Sequence, residues 1–151
     1  MLARHAMASL VCGALVCGCR GDLLAKAELH GEGVAQARIA SGPDALALWG
    51  QVEGKWRGGK LDKLPVAWDV EVTQQGTLVE RLACDTDHVE SVICGVHAFV
   101  DGVHEADCEL RLSCRMPALA PGEVVLDVTG RMLRPAQILA ITEMSLHVRA
   151  D

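Results

Sequence analysis

The feature that most constrains this chain is an alternation of period two that runs through nearly every segment after Lys26. Val66, Trp68, Val70 and Val72 alternate with Ala67, Asp69, Glu71 and Thr73. Successive side chains of an extended strand point to opposite faces, so this run reads as a strand with one face buried. Ala27, Leu29, Gly31, Gly33, Ala35, Ala37 and Ile39 repeat the pattern against Lys26, Glu28, His30, Glu32, Gln36 and Arg38. Leu46, Leu48, Val52 and Trp56 form another set, and Leu78, Leu82 and Cys84 share a face with a less comfortable Glu80. Val124, Leu126, Val128 and Met132 follow, then Ile138, Ala140, Met144, Leu146 and Val148. Ser41-Gly42-Pro43-Asp44, Gln74-Gln75-Gly76 and Ala120-Pro121-Gly122 supply turns between them. A short helix over 23–29 competes with strand, because Ala, Leu and Lys are good helix formers. The count is about eight strands and no long helix, which implies an all-β, antiparallel β-sandwich.

The first nineteen residues obey a different rule. Arg4 and His5 form a short basic start, and Ala6 to Gly18 then run without a charge. Thirteen apolar or small residues suit an export signal, whereas a membrane-spanning helix needs about 20. The run ends in Leu15-Val16-Cys17-Gly18-Cys19, which resembles the lipobox of bacterial lipoproteins. Val16 stands where that pattern usually has Leu, and Cys17 where it has Ala or Ser. The resemblance implies removal of residues 1–18 and acylation of Cys19, with Cys17 a rival acceptor. It also implies membrane attachment, and Arg20 in place of Asp after the cysteine points to the outer membrane. On this reading 1–18 is a signal peptide, 19–25 a short tether and 26–151 a single β domain. An ordinary secretory signal is the plainer alternative.

Of seven cysteines, Cys12 and Cys17 leave with such a signal and Cys19 takes lipid, so Cys84, Cys94, Cys108 and Cys114 remain. Four cysteines in an exported domain imply two disulfides with three possible connectivities. Zinc is the competing use, but no close C-x-x-C knuckle is present. Strand parity narrows the choice. Val92, Cys94, Val96, Ala98 and Val100 share one face, and Ala106, Cys108, Leu110, Leu112 and Cys114 another. Both sets must face one core. A two-residue Asp101-Gly102 turn sets Phe99 against His104 and breaks that match. A three-residue loop, Val100-Asp101-Gly102, sets Phe99 against Val103, with Gly102 in a G1 bulge. This register places Cys94 across from Cys108, at a non-hydrogen-bonded and therefore closer site. Cys84 then pairs with Cys114, within the same sheet or across to its neighbour.

Charge and aromatic content exclude some functions. Loss of Arg4 with the signal leaves 13 basic against 20 acidic residues, a net charge of −7. Such a chain, without a basic block, is a poor nucleic-acid binder. Three Trp, one Phe and no Tyr make few stacking platforms. Neither G-x-S-x-G, S-x-x-K nor H-E-x-x-H occurs, and no Gly-rich loop opens a helix. Ser91 and Ser113 flank the cysteine region without a Ser-His-Asp arrangement. By the hairpin register His97 points outward and His104 inward, so they do not share a metal.

Two weaker candidates remain. Asp85, Asp87 and Glu90 offer oxygens for calcium, but no turn glycine follows and an EF-hand loop is longer; a solvated acidic loop is the simpler account. Trp49 and Trp56 differ by an odd number, so an unbroken strand sends one outward, where it would serve as a ligand or partner contact or pack a sheet edge. Finally, Pro121-Gly122-Glu123-Val124-Val125-Leu126-Asp127-Val128-Thr129-Gly130-Arg131 resembles the closing strands of small OB-type barrels, which implies an oligomer-binding barrel as the alternative fold. The resulting expectation is a lipid-anchored envelope protein acting as a non-enzymatic binding or assembly module, needing no cofactor and meeting an envelope protein or small ligand. A calcium-dependent module or small enzyme using residues 85–90 is the competing class.

Overall fold

The structure, a computed structural model, describes residues 21–30, 32–58 and 64–151. The export segment, with Cys12, Cys17 and Cys19, lies outside the described residues. The strands are β1 (Leu23–Leu29), β2 (Val34–Ser41), β3 (Leu46–Arg57), β4 (Val66–Gln74), β5 (Thr77–Asp85), β6 (Val89–Val100), β7 (Val103–Leu112), β8 (Gly122–Met132) and β9 (Ile138–Ala150). A 3-10 turn, Pro135–Gln137, precedes β9. Five strands pair in the order β1-β9-β3-β7-β6 and four in the order β2-β8-β4-β5, every pair antiparallel.

This is the expected β-sandwich. The OB-type alternative is overturned, because the two sheets have open edges and do not close into a barrel. The segment that suggested it is β8, an interior strand between β2 and β4. Residues 23–29 form a strand and not a helix. Pairing with β9 buries Ala27 and Leu29, and that tertiary gain overrides intrinsic propensity. Strand structure therefore begins at Leu23, inside the stretch expected to be tether.

The period-two pattern becomes the core directly. Leu48, Val52 and Trp56 of β3 meet Val66, Trp68, Val70 and Val72 of β4, together with Leu126 and Val128 of β8 and Leu146 and Val148 of β9, in one cluster of nearly inaccessible side chains. Each fully buried side chain of this size contributes about 1.5–3 kcal/mol of transfer free energy.

Some irregularities depart from simple alternation and bear on the expected registers. The β6–β7 turn has two residues, Asp101 (φ 51°) and Gly102 (φ 74°), both in the left-handed region that a type I′ hairpin turn requires. Val100 accordingly faces Val103 and Phe99 faces His104. The expected three-residue loop is thus incorrect, yet its consequence holds. The register shifts between Val96 and Ala98, leaving His97 as the extra residue, and Cys94 comes to lie opposite Cys108. The bulge sits inside the strand and not in the turn. A second bulge, at Val79, pairs Leu78 with Thr73 while Glu80 pairs with Val72. Leu78 therefore leaves the face it was expected to share with Leu82 and Cys84.

Both disulfides join the cysteines that parity selected. Cys94–Cys108 spans β6 and β7 with Cα atoms 4.1 Å apart. Cys84–Cys114 (Cα–Cα 5.3 Å) links the end of β5, in the four-stranded sheet, to the residues just after β7, in the five-stranded sheet. It therefore ties one layer to the other.

Candidate functional site

Sheet coverage fails at one corner. Trp56, His104 and Phe99 form a row across β3, β7 and β6 on the core-facing side of the five-stranded sheet. Burial falls along that row. Trp56 is 1% exposed, His104 half-buried and Phe99 61% exposed. Phe99 stacks on His104 with ring centroids 4.5 Å apart, and His104 lies 6.3 Å from Trp56. Val96, on the same face, is 48% exposed and Val100 at the turn 64%. The four-stranded sheet does not cover this corner, so side chains patterned for a core meet solvent.

The corner is also the free edge of its sheet. No described strand pairs with β6 on its outer side. The close Cα approach at Cys94 and Cys108 marks a non-hydrogen-bonded pair. The peptide groups of Cys94, and by the two-residue repeat those of Val92 and Val96, point away from β7 toward that edge. Proteins usually protect a long edge strand with Lys, Pro or bulges. Over its twelve residues, VESVICGVHAFV, β6 has neither Lys nor Pro, and only its register shifts interrupt it.

On the other face of the same edge, Gly95 opens a pit of about 240 Å³ lined by Gln51, Ile93, Asp107 and Glu109. The Gly95 amide donates to Asp107 Oδ1 at 3.1 Å, and a Cβ at position 95 would lie 2.4 Å from that oxygen. The bare backbone of Gly95 leaves this approach to the two carboxylates open.

The residues singled out from sequence fall elsewhere. Trp56 is a core residue, and Trp49, on the opposite face as parity demands, is only 5% exposed. Neither is an exposed contact. Trp49 stands in register between Arg111 on β7 and His147 on β9.

Residues 85–90 form the crossing from one sheet to the other. Asp85 Oδ1 accepts the amides of Asp87 and His88, at 3.1 and 3.0 Å, which closes the turn. Asp87 pairs with Arg134, and Glu90 with Arg111 (2.8 Å) and Arg115. Thr86, fully buried, reaches the carbonyl oxygens of Leu64 and Val66. The three carboxylates are thus engaged in separate directions. Among the described residues no group of three or more His, Cys, Asp or Glu side chains is arranged to hold a metal ion.

One hydroxyl–imidazole pair escaped sequence reading. Ser145 Oγ lies 3.1 Å from His147 Nε2, two residues apart on one face of β9. Ser145 is fully buried and His147 is 6% exposed, so a substrate has no approach to either. Burial, and then the charges of Lys26 and Arg149, hold the imidazole below its ordinary range. A cleft of about 600 Å³ lies among the loops around Pro43, Leu46, Met116 and Leu119. Its polar groups serve the fold: the Ser41 hydroxyl donates to the Ala120 carbonyl, and Arg115 pairs with Glu90.

The uncovered corner also escaped sequence reading, although one signal was present. Ala98-Phe99-Val100 breaks the alternation with three consecutive apolar residues, and a strand end apolar on both faces must expose one of them. In comparisons with known proteins, the chain matches no family model, no curated protein and no solved structure.

Proposed function

We propose that this chain is a lipid-anchored envelope protein, held through Cys19, that works as a binding or assembly module without catalysis. The observation that carries the binding role is the exposure of Val96, Phe99 and Val100 on an edge strand that carries neither Lys nor Pro. Contiguous apolar surface beside free peptide groups is a cost that a partner would relieve. The lipobox-like sequence supports the anchor, and two disulfides suit an oxidising compartment outside the cytoplasm.

The geometry suits display. The Asp22 carbonyl accepts the Ala150 amide, and Ala150 pairs on to Leu46, which sets the entry point at one end of the five-stranded sheet. Two residues, Arg20 and Gly21, separate Asp22 from Cys19, a span of at most about 11 Å of extended chain. The row of Trp56, His104 and Phe99 lies ten residues farther along β3 than Leu46, roughly 30 Å away. The first described residues therefore meet one end of the sheet, and the apolar corner lies at the other.

A photo-crosslinking residue placed at Phe99 in the anchored protein, within its own envelope, tests this reading. Adducts at position 99 but not at Val34, which is more open still on β2, are expected. Adducts confined to position 34, or a turnover activity abolished by substituting His97 or Asp87, would refute it.

A further inference from the structure

We infer that the β6 edge accepts an added strand from a partner, an extended segment of alternating apolar and polar residues with a lysine or arginine facing Gly95. This rests on the binding role proposed above and names its surface and the chemistry of its occupant. The outward peptide groups of Val92, Cys94 and Val96 supply a ladder. The exposed Val96 and Phe99, on the core-facing side, supply apolar contact for alternate side chains.

The second face of the edge selects charge. A residue opposite Gly95 meets no side chain at that position and looks across the glycine into the pit that holds Asp107 and Glu109. Asp107 Oδ1 already accepts the Gly95 amide and lies 3.7 Å from His97 Nε2, and Glu109 pairs with Arg149 at 3.3 Å. A long cationic side chain entering here would add a charge-assisted contact at an acidic, partly enclosed site. A carboxylate would be repelled. A symmetric pairing of β6 with β6 of a second copy fits less well, because β6 contains no Lys or Arg to offer. The acidic balance of the whole chain favours the same cationic partner at long range.

The test uses the full, anchored chain in detergent micelles and the synthetic peptide Thr-Val-Thr-Val-Lys-Val-Thr-Val-Thr, with a second peptide carrying Glu for the Lys. Amide hydrogen exchange of Val92, Cys94 and Val96 reports the ladder, and peptide fluorescence anisotropy reports affinity. Strand addition predicts slowed exchange at those three amides with the Lys peptide, and about tenfold weaker binding of the Glu peptide. D107N is expected to narrow the difference between the two peptides. Equal affinity for both peptides, or millimolar Lys peptide that leaves the three amides unprotected, overturns the inference. So does protection that grows with protein concentration alone, which would identify a second copy as the occupant. Adducts at Phe99 without amide protection would leave the binding role standing and remove strand addition only.

Discussion

The indole of Trp68 in β4 occupies the space where residue 50 of β3 would carry a side chain. A Cβ on Gly50 would lie 2.4 Å from Trp68 Cη2 and 2.6 Å from Cζ3. The two sheets approach through this pair, a large ring set over a bare backbone, with Val52 and Leu48 on either side along β3. Overpacking such a contact forces ring or backbone to move, at about 1–3 kcal/mol or more. Gly50→Ala is therefore expected to lower the unfolding free energy measured by urea denaturation by that amount. Gly42→Ala, where nothing lies within 4 Å, is expected to be nearly neutral in the same assay.

The disulfides close loops of different length, with sequence separations of 14 for Cys94–Cys108 and 30 for Cys84–Cys114. The chain-entropy account assigns them about 3 and about 3.6 kcal/mol. Replacing each pair by alanines is expected to cost more stability for Cys84 and Cys114, which also join the sheets. Equilibrium denaturation of the two double variants checks the order.

Buried His147 ties stability to pH. Its folded pKa is depressed below the ordinary 6.5, mainly by burial, so the unfolded chain binds the proton first as pH falls. Stability should be level above about 6.5 and decline below it. Glu28, held below its usual range by Lys26, adds a loss of stability at more acidic pH. Lys26, raised by Glu28 and Glu143, contributes stability that is lost above pH 10.5. In thermal melts across pH 3 to 8, His147→Gln should remove the slope just below 6.5 and leave the loss at more acidic pH in place.

The turn from Asp85 to Glu90 is held by its own hydrogen bonds. Thr86→Val leaves two buried carbonyls without their hydroxyl and should cost about 1–3 kcal/mol. Millimolar calcium is expected to leave the melting temperature unchanged, because Asp85, Asp87 and Glu90 are already engaged with amides and arginines. A calcium-dependent rise would restore the ligand-loop reading.

Much of this architecture was legible from alternation alone. Val66 to Val72, Val124 to Val128 and Leu146 to Val148 face the core as their parity requires. The cysteine pairing followed because a disulfide depends on the register at Cys94, and one extra residue anywhere between Cys94 and the turn gives the same answer there. Where that residue sits was not legible. Asp101-Gly102 is an ordinary type I′ sequence and His97 carries no bulge signature, so only tertiary packing decides between them. Sheet coverage was hidden for a related reason. Phe99 is patterned like a core residue, and its exposure depends on how far the opposite sheet extends. Trp49 shows the converse: parity sent it outward correctly, but the neighbouring Arg111 and His147 were invisible in its own strand.

Intact-mass analysis of protein purified from its own envelope, with and without reductant and alkylation, tests the central claim most directly. The account predicts a chain that starts at Cys19, carries acyl mass on that residue, and gains four alkyl groups only after reduction. A chain that still starts at Met1, or four thiols that alkylate without reductant, would contradict it.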